Sequence, residues 1–455
     1  MTVKRTPIVA IVGRTNVGKS SLYNLIIKRR EAIIAREAGT TRDSLMSKAH
    51  WHNQEFWLVD TAGVKDPEDE FEFTIQEQIY QAKETADLII LMVDASVPMS
   101  DDDRKLSELA LKSNKPAFLV INKIDKVKDL DKIDHYKNVG IKEHFLISVS
   151  QRRGIDKLLT KIVSAIPKIT AKKENQNSLT ISLIGRPNVG KSTLFNALLK
   201  KQQAIVSDRA GTTRDVNRKR IKYHSKEFQI LDTAGIRRPG KIQQGVEKFS
   251  VIRSLGAIEE SDVCLLLMDC NELNVALDQK LAGIIKEANK GLILVIAKWD
   301  SMKDKDPFLR DKIAQELKNT FDFVPWAPLI LTSAITGQNV TKIFDLALEI
   351  IENRQAKIKT TKLNNWLMEA INQTPPAGLK NRFPKLNYMV QETDNEAPSF
   401  KIFGSNIKYL HWSYKRYLEK NFRQNYNFDG TPIQLWFIEK HTPHKHGSSP
   451  TKAKK

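Results

Sequence analysis

The feature that most constrains this 455-residue chain is an internal repeat at long spacing. GRTNVGKSSLYNLI at 13–26 recurs as GRPNVGKSTLFNAL at 185–198, and AGTTRD and LVDTAGV recur at the same offset of 172 residues. Later motifs recur at slightly larger offsets, NKID as AKWD at 175 and SVSQRRG as SAITG at 185. A solenoid repeats every 20–50 residues or so, and the sequence therefore predicts a duplicated domain instead.

Each copy alternates apolar runs rich in β-branched residues with helical patterns, as in PIVAIVG, DLIILMVDA and PAFLVINK of the first copy. The second copy repeats this with LTISLIG, DVCLLLMD and LILVIAK. Such alternation favours an α/β fold with a mostly parallel sheet and helices on both faces. The polar stretch KITAKKENQNS between the copies is typical of a linker.

Both copies carry a phosphate-binding loop between a predicted strand and a predicted helix. Backbone N–H groups and the helix N-terminus converge there on the phosphates. Lys19 and Lys191 are predicted to neutralise the β- and γ-phosphates, and Ser20 and Ser192 to ligate Mg²⁺. The predicted loop residues are Gly13, Arg14, Thr15, Asn16, Val17, Gly18, Lys19 and Ser20, and Gly185, Arg186, Pro187, Asn188, Val189, Gly190, Lys191 and Ser192.

A DTAG motif follows a predicted strand in both copies. Its aspartate can hold the water shell of Mg²⁺, and its glycine can offer an N–H to the γ-phosphate. Thr41 and Thr213, in GTTRD, lie where a loop could close over the metal; the alternative is an ordinary polar loop. The predicted contact residues are Asp60, Thr61, Ala62, Gly63 and Val64, and Asp232, Thr233, Ala234, Gly235 and Ile236.

Guanine specificity is predicted from Asn122, Lys123, Ile124 and Asp125, with Ser148 closing the pocket. The Asp125 carboxylate accepts from the ring N–H and amino group of guanine, donors that adenine does not present together. The wrong base would leave this carboxylate unpaired. The second copy has Ala297, Lys298, Trp299 and Asp300, with Ser333, so weaker guanine binding is expected there.

These motifs and their order resemble the Der family, also called EngA, tandem Era-like GTPases of ribosome assembly. The resemblance covers roughly residues 7–440. It implies two P-loop GTPase domains that bind GTP or GDP with Mg²⁺ and hydrolyse GTP. It also implies a role in maturation of the large ribosomal subunit, with the nucleotide state controlling docking on ribosomal RNA.

Many GTPases position the attacking water with a glutamine after the DTAG glycine, a place that Val64 and Ile236 occupy here. The resemblance implies that Asn16 and Asn188 help to bind K⁺ instead, where an arginine finger otherwise neutralises transition-state charge. Hydrolysis should then be slow and stimulated by potassium. The alternative is that both asparagines only shape the loop.

The C-terminal segment predicts the order α-β-β-α-β: a helix at 361–373, two strands in KLNYMVQET and SFKIFGS, a helix at 409–426 and a last strand in TPIQLWFIEK. This order resembles the KH-like domain of the same family, without the Gly-x-x-Gly loop of ordinary KH domains. Four cations, Lys415, Arg416, Lys420 and Arg423, are predicted to cluster on the second helix. The predicted divisions are 1–167, 168–178 (linker), 179–354, 355–440 and 441–455 (basic tail).

The net charge of +20 is concentrated at the C-terminus, where residues 356–455 hold 17 Lys and Arg against 7 Asp and Glu. A polyanionic partner, ribosomal RNA first, is therefore predicted; the alternative is a solvated basic surface. Cys264 and Cys270 are expected to be reduced and buried. Without an apolar run long enough to span a bilayer, we expect a cytoplasmic monomer. Two other functions stay open: an RNA-binding module with incidental hydrolysis, and an RNA-modification GTPase.

Overall fold

The structure is a computed structural model, and it describes residues 2–3, 6–33, 46–52, 54–60, 82, 85–125, 136, 139–169, 178–200, 218–232, 254–273, 275–302, 308–377, 382–393, 395 and 397–439. The chain divides into two compact units. The first unit is Met1–Asn353 with Asp429–Pro432, and the second unit is Arg354–Phe428 with Ile433–Lys455. Within the described ranges, no helix has the length and apolar character needed to cross a membrane.

Six strands form the first sheet, in the spatial order β3-β4-β2-β5-β6-β7. All neighbours are parallel except β3 and β4, which form an antiparallel pair. The central strands are buried on both faces, which explains their unbroken apolar sequences. The strands are β2 (Ile8–Val12), β3 (Met46–Trp51), β4 (Gln54–Asp60), β5 (Leu88–Asp94), β6 (Ala117–Asn122) and β7 (Glu143–Leu146).

Helices pack against this sheet through apolar stripes. The described helices are α1 (Lys19–Ile33), α2 (Asp101–Lys112) and α3 (Ile155–Ala165). The start of α2 is fixed by a capping box: the Ser100 hydroxyl accepts from the Asp103 N–H, and the Asp103 carboxylate accepts from the Ser100 N–H. This capping holds Asp103, which is fully buried, beside the phosphate loop.

The second sheet repeats the first, with the order β10-β11-β9-β12-β13-β14 and a single antiparallel pair, β10 and β11. The predicted mostly parallel fold is confirmed in both copies. The strands are β9 (Ser178–Gly185), β10 (Arg218–Tyr223), β11 (Lys226–Asp232), β12 (Val263–Asp269), β13 (Gly291–Ala297) and β14 (Leu329–Leu331). The helices are α4 (Lys191–Lys200), α5 (Ala276–Glu287), α6 (Leu309–Thr320) and α7 (Lys342–Gln355).

Both cysteines are buried free thiols, as expected. Cys264 lies on β12, whereas Cys270 lies one residue past the end of that strand. Burial raises the pKa of the Cys270 thiol, so this thiol remains protonated and poorly nucleophilic.

The two copies pack against each other inside the first unit, a contact that the sequence did not predict. One buried apolar cluster contains Met46 and Trp57 of the first copy together with Leu281 and Ile285 of α5. Burial of this surface removes apolar area from water and stabilises the arrangement. The first unit therefore has a core that runs across the repeat boundary.

A buried carboxylate lies at this contact. Glu259 accepts from the Trp57 indole N–H at 2.6 Å and from the Thr6 backbone N–H at 3.2 Å, and it pairs with Lys48 at 3.5 Å. Burial works against ionisation, but Lys48, Lys290 and the two hydrogen bonds outweigh it and hold the pKa of Glu259 below its ordinary value. Glu259 is therefore a charged partner of the first copy.

The segment predicted as a linker is ordered at its two ends. β8 (Lys168–Ile169) pairs in parallel with β1 (Thr2–Val3), and β9 already begins at Ser178. The residues between lie outside the described part of the chain. The linker prediction therefore included residues that belong to strands, because two-residue strands carry no periodic signal of their own.

The second unit has the predicted order α-β-β-α-β, with an added 3₁₀ turn at Ile407–Tyr409. β15 and β16 are antiparallel, and β16 and β17 are parallel. The helices cover one face of this sheet through a core that includes Trp366, Phe400 and Phe422. The elements are α8 (Thr360–Gln373), β15 (Lys385–Glu392), β16 (Ser399–Ser405), α9 (Trp412–Asn425) and β17 (Gln434–Glu439).

Candidate nucleotide sites

The two phosphate loops lie where β2 meets α1 and where β9 meets α4, at the carboxyl ends of parallel strands. The Lys19 ammonium donates to the carbonyls of Gly13 at 2.7 Å and Arg14 at 2.5 Å. Lys191 repeats these contacts in the second loop, at 2.8 and 2.5 Å. Each lysine thus closes its own loop and is held where it can turn to phosphate oxygens.

The first glycine of the loop is required by close backbone approach. A Cβ on Gly13 would lie 2.3 Å from the carbonyl oxygen of Met92, and a Cβ on Gly185 would lie 2.5 Å from that of Leu267. Both glycines have positive φ, 155° and 149°. Any side chain would push the loop off the neighbouring strand, so these positions demand glycine.

A serine–aspartate pair follows each loop. The Ser20 hydroxyl donates to Asp60 at 2.7 Å, and the Ser192 hydroxyl donates to Asp232 at 3.3 Å. Both aspartates are the last residues of their strands, β4 and β11. Hydroxyl and carboxylate oxygens are the hard ligands that Mg²⁺ prefers, so these pairs fit the predicted metal role.

The loop arginines are anchored by carboxylates that the sequence interpretation missed. The Arg14 side chain makes a two-pronged contact with Asp103, Nε to Oδ1 at 2.8 Å and Nη2 to Oδ2 at 2.8 Å. Arg186 contacts Asp278 at 3.1 Å and the Glu272 carboxylate at 2.8 Å. The arginine side chains thus point away from the phosphates and fix the loop backbone.

Asn122 links the guanine motif to the phosphate loop. Its amide donates to the Val17 carbonyl at 2.9 Å, and its oxygen accepts from the Val149 N–H at 3.2 Å. The Asp125 carboxylate accepts from the hydroxyls of Ser148 at 2.5 Å and Ser150 at 2.9 Å. Two donors therefore orient the carboxylate, and Ser150 was not among the predicted residues.

The second guanine site keeps only part of this arrangement. Asp300 accepts from the Ser333 hydroxyl at 2.5 Å, but Ile335 occupies the place of Ser150 and cannot add a second donor. Ala297 has no amide to reach Val189, the counterpart of Val17. The second site therefore has the guanine-binding aspartate and lacks the connection between base motif and phosphate loop.

The lysine of each guanine motif is held by an aspartate at the end of the adjacent strand. Lys123 contacts Asp94 at 2.5 Å, and Lys298 contacts Asp269 at 2.6 Å. Burial works against the charge of Asp94 and of Asp269, yet the lysine and other hydrogen bonds lower the pKa of both carboxyls. Each ion pair fixes the lysine stem, which is predicted to lie against the base.

The remaining predicted residues fall into two groups. Thr15, Asn16, Val17, Pro187, Asn188 and Val189 lie in the two phosphate loops, and Ile124 and Trp299 lie in the guanine motifs. The other predictions fall outside the described residues: Thr41, Thr61, Ala62, Gly63 and Val64, and Thr213, Thr233, Ala234, Gly235 and Ile236.

Three of the four cations predicted on the second helix of the C-terminal segment are available at the surface. Lys415 lies over the Phe437 ring, Arg416 is exposed, and Lys420 is exposed one turn later. Arg423 differs: its side chain is 13% exposed and pairs with Glu419. Arg423 therefore supports the fold of the second unit, and its inclusion in an RNA-binding cluster was wrong.

Two strand–loop–helix phosphate sites with serine, aspartate and guanine motifs define a tandem P-loop GTPase. The family model described as "50S ribosome-binding GTPase" matches residues 8–123 and 180–298. The model described as "KH-domain-like of EngA bacterial GTPase enzymes, C-terminal" matches residues 357–437.

Full-length relatives give the family. GTPase Der of Chloroflexus aggregans is 40% identical over 440 residues, covering 95% of this chain and 97% of the relative. GTPase Der of Gemmatimonas aurantiaca is 38% identical over 430 residues, covering 94% and 98%. This chain belongs to the GTPase Der family: it is a GTP-hydrolysing switch protein of ribosome assembly that uses GTP, GDP and Mg²⁺.

Among solved structures, Era in complex with MgGDPNP and nucleotides 1506–1542 of 16S ribosomal RNA aligns with 59% of this chain and 94% of its own, at 23% identity and a TM-score of 0.31. A TM-score this low supports no argument about function. The family assignment depends on the matches over nearly the whole chain.

Proposed function

We propose that this GTPase docks on RNA of the large ribosomal subunit and that its nucleotide state controls the docking. The observation that carries the proposal is the pairing of two GTP sites with a KH-like unit that holds half of the net charge of +20. The matching family model is itself described as 50S ribosome-binding. Phosphate neutralisation by such a surface makes binding strong and dependent on salt.

In each site the proposed roles follow from the geometry. Lys19 and Lys191 exchange their carbonyl partners for phosphate oxygens when nucleotide binds. Ser20 with Asp60, and Ser192 with Asp232, hold Mg²⁺, which supplies positive charge between the β- and γ-phosphates. The anchored loop arginines keep the backbone N–H groups pointed at the phosphates, so little reorganisation is needed on binding.

The proposed roles of the loops that follow concern residues outside the described part of the chain. Thr41 and Thr213 close over the metal, and Gly63 and Gly235 donate an N–H to the γ-phosphate. These loops respond to GTP and GDP, and a nucleotide can shift RNA affinity only if the two states present different surfaces to the RNA.

We also propose that Asn16 and Asn188 ligate K⁺ during hydrolysis, which should be slow without that ion. Both residues are exposed in the loops and have left-handed backbones, with φ of 61° and 64°. A left-handed backbone also suits a residue that merely shapes the loop. Two substitutions separate these roles: Asn16→Gly keeps the backbone conformation and removes the amide, whereas Asn16→Ala disturbs both.

The test measures single-turnover GTP hydrolysis in potassium and in sodium, with the second site disabled by Lys191→Ala. If Asn16 is a ligand, both variants lose the potassium stimulation. If Asn16 only shapes the loop, Asn16→Gly keeps the stimulation. Equal wild-type rates in the two salts would exclude the ion altogether.

Docking is tested by co-sedimentation of the full chain with purified large and small ribosomal subunits. The measurement is made with a non-hydrolysable GTP analogue, with GDP and without nucleotide. We expect retention on the large subunit that differs between nucleotide states. Equal retention in all states would contradict control by nucleotide, and preference for the small subunit would contradict the partner.

The proposal includes a cytoplasmic monomer with the domain divisions 1–167, 179–354 and 355–440. Light scattering on the eluted chain in each nucleotide state checks the monomer. A mass twice that of the 51.9 kDa chain would contradict it. Limited proteolysis within 168–178 and near 355 checks the divisions.

A further inference from the structure

Cations and aromatic rings are interleaved on the second unit around the start of α9. The aromatic–basic surface, as it is called below, consists of Arg382, Phe383, Lys408, Tyr409, Trp412 and Arg416. Its two large apolar side chains are open to solvent: Phe383 is 68% exposed and Trp412 is 41% exposed. Exposed aromatic side chains grouped in this way usually mark an interaction site.

Three cation–π contacts lie within this surface. The Arg382 guanidinium is 5.5 Å and the Lys408 ammonium is 5.3 Å from the centre of the Tyr409 ring. The Arg416 guanidinium is 5.0 Å from the centre of the Trp412 ring. Each of the two rings therefore has positive charge directly beside it.

The local fold presents the two rings close together. Tyr409 ends the 3₁₀ turn, and Trp412 is the first residue of α9. Three residues of chain span at most roughly 11 Å. The buried side of α9 carries Tyr414, Leu418 and Phe422, so Trp412 and the residues one and two turns later lie on the opposite side.

A carboxylate fixes the turn without cancelling the positive charge. Glu439 accepts from the backbone N–H groups of Asn406 at 2.7 Å and Ile407 at 2.8 Å. The Asn406 amide in turn donates to the Phe383 carbonyl at 3.2 Å. These contacts join the segment of Phe383 to the turn of Tyr409, and the three cations of the surface outnumber the one carboxylate at the turn.

We propose that the aromatic–basic surface binds unpaired nucleotides of RNA. Bases stack on Tyr409 and Trp412, while Arg382, Lys408 and Arg416 neutralise the adjacent phosphates. Proteins that bind single strands combine these two components. A duplex keeps its bases stacked on each other and offers no free base to such rings. The inference rests on the RNA docking proposed above and specifies where and to which form of RNA it occurs.

The test uses the full chain and two labelled probes, a uridine oligomer of about 12 nucleotides, within the site sizes of single-strand binders, and an RNA duplex. Fluorescence anisotropy gives the dissociation constant over a salt series. Trp412→Ala and Tyr409→Ala should each weaken oligomer binding by about 5- to 100-fold. The slope of log affinity against log salt should stay unchanged, because no charge is removed.

Arg416→Gln should instead lower that slope by about 0.7, the value for one phosphate contact of a single strand. Trp412→Phe keeps a stacking ring and should restore most of the affinity. Met368→Ala and Lys362→Gln are matched controls, an exposed apolar residue and an exposed cation of α8. Thermal unfolding of each variant verifies the fold; if Tyr409→Ala unfolds, Trp412→Ala carries the test.

The outcomes separate the two proposals. If wild type binds the oligomer and the ring variants bind it equally well, this surface is wrong and RNA docking stands. If wild type binds neither RNA, both proposals fall. Equal losses for oligomer and duplex would refute stacking. Unchanged RNA affinity with lost retention on ribosomal subunits would show that the surface contacts a protein.

Discussion

Replacing Ala297 by asparagine should tighten nucleotide binding at the second site. The first site shows what the second lacks: Asn122 makes two buried hydrogen bonds, at 2.9 Å to Val17 and 3.2 Å to Val149. A net contribution of about 0.5–1.5 kcal/mol for each would give about 1–2 kcal/mol in affinity. The dissociation constant should then fall by about 5- to 30-fold.

The second site has room for the added amide. A Cβ on Gly18 would lie 2.4 Å from the Asn122 amide nitrogen, whereas a Cβ on Gly190 would lie 4.0 Å from the Cβ of Ala297. The space that the Asn122 amide fills in the first site is therefore open in the second. Ala297 is 5% exposed, so the new hydrogen bonds would be shielded from water.

The assay titrates a fluorescent GDP analogue into chains whose first site is disabled by Lys19→Ala. Ala297→Leu is the matched control, since leucine fills similar space without hydrogen bonding. Asn122→Ala, measured with the second site disabled, should loosen the first site by a similar factor. An unchanged dissociation constant for Ala297→Asn, or equal tightening by Ala297→Leu, would refute the reasoning.

Three further predictions concern contacts that the structure revealed. Ser333→Ala should lower guanine-nucleotide affinity more than Ser148→Ala, since the first-site aspartate keeps a second serine; titration of each site compares them. Asp103→Asn should weaken nucleotide binding at the first site by about five- to tenfold. Asp278→Asn should weaken the second site less, because its loop arginine keeps another carboxylate; equal losses would contradict this. Glu259 has a lowered folded-state pKa, so its stabilisation is present above about pH 4.5 and is lost as pH falls through that lowered pKa. Glu259→Gln should flatten the acid side of the melting temperature against pH.

Both sheets could be predicted because a strand buried on both faces has an unbroken apolar sequence. The phosphate loops could be predicted because their glycine spacing has one structural meaning. The C-terminal order was also readable, although the last helix begins at Trp412 rather than 409. There the turn of Ile407–Tyr409 carries apolar residues at helical spacing, and it ends in a 3₁₀ geometry instead.

The carboxylates that hold the loop arginines and guanine-motif lysines could not be assigned from local pattern. Asp103 and Asp94 lie far from their partners in sequence, and nothing near them indicates the contact. Their counterparts Asp278 and Asp269 stand at the same offset of 175 residues as the guanine motifs. That common offset was the available signal. The contact around Glu259 had none, because it joins different elements of the two copies.

The most direct test of the central claim, two separate GTP sites in one chain, is calorimetric titration of a non-hydrolysable GTP analogue with Mg²⁺. The account predicts two sites per chain, the second weaker because Ala297 replaces asparagine. Lys19→Ala should leave only the weaker site, and Lys191→Ala only the tighter one. A single site in the wild type, or loss of all binding in Lys19→Ala, would contradict the account.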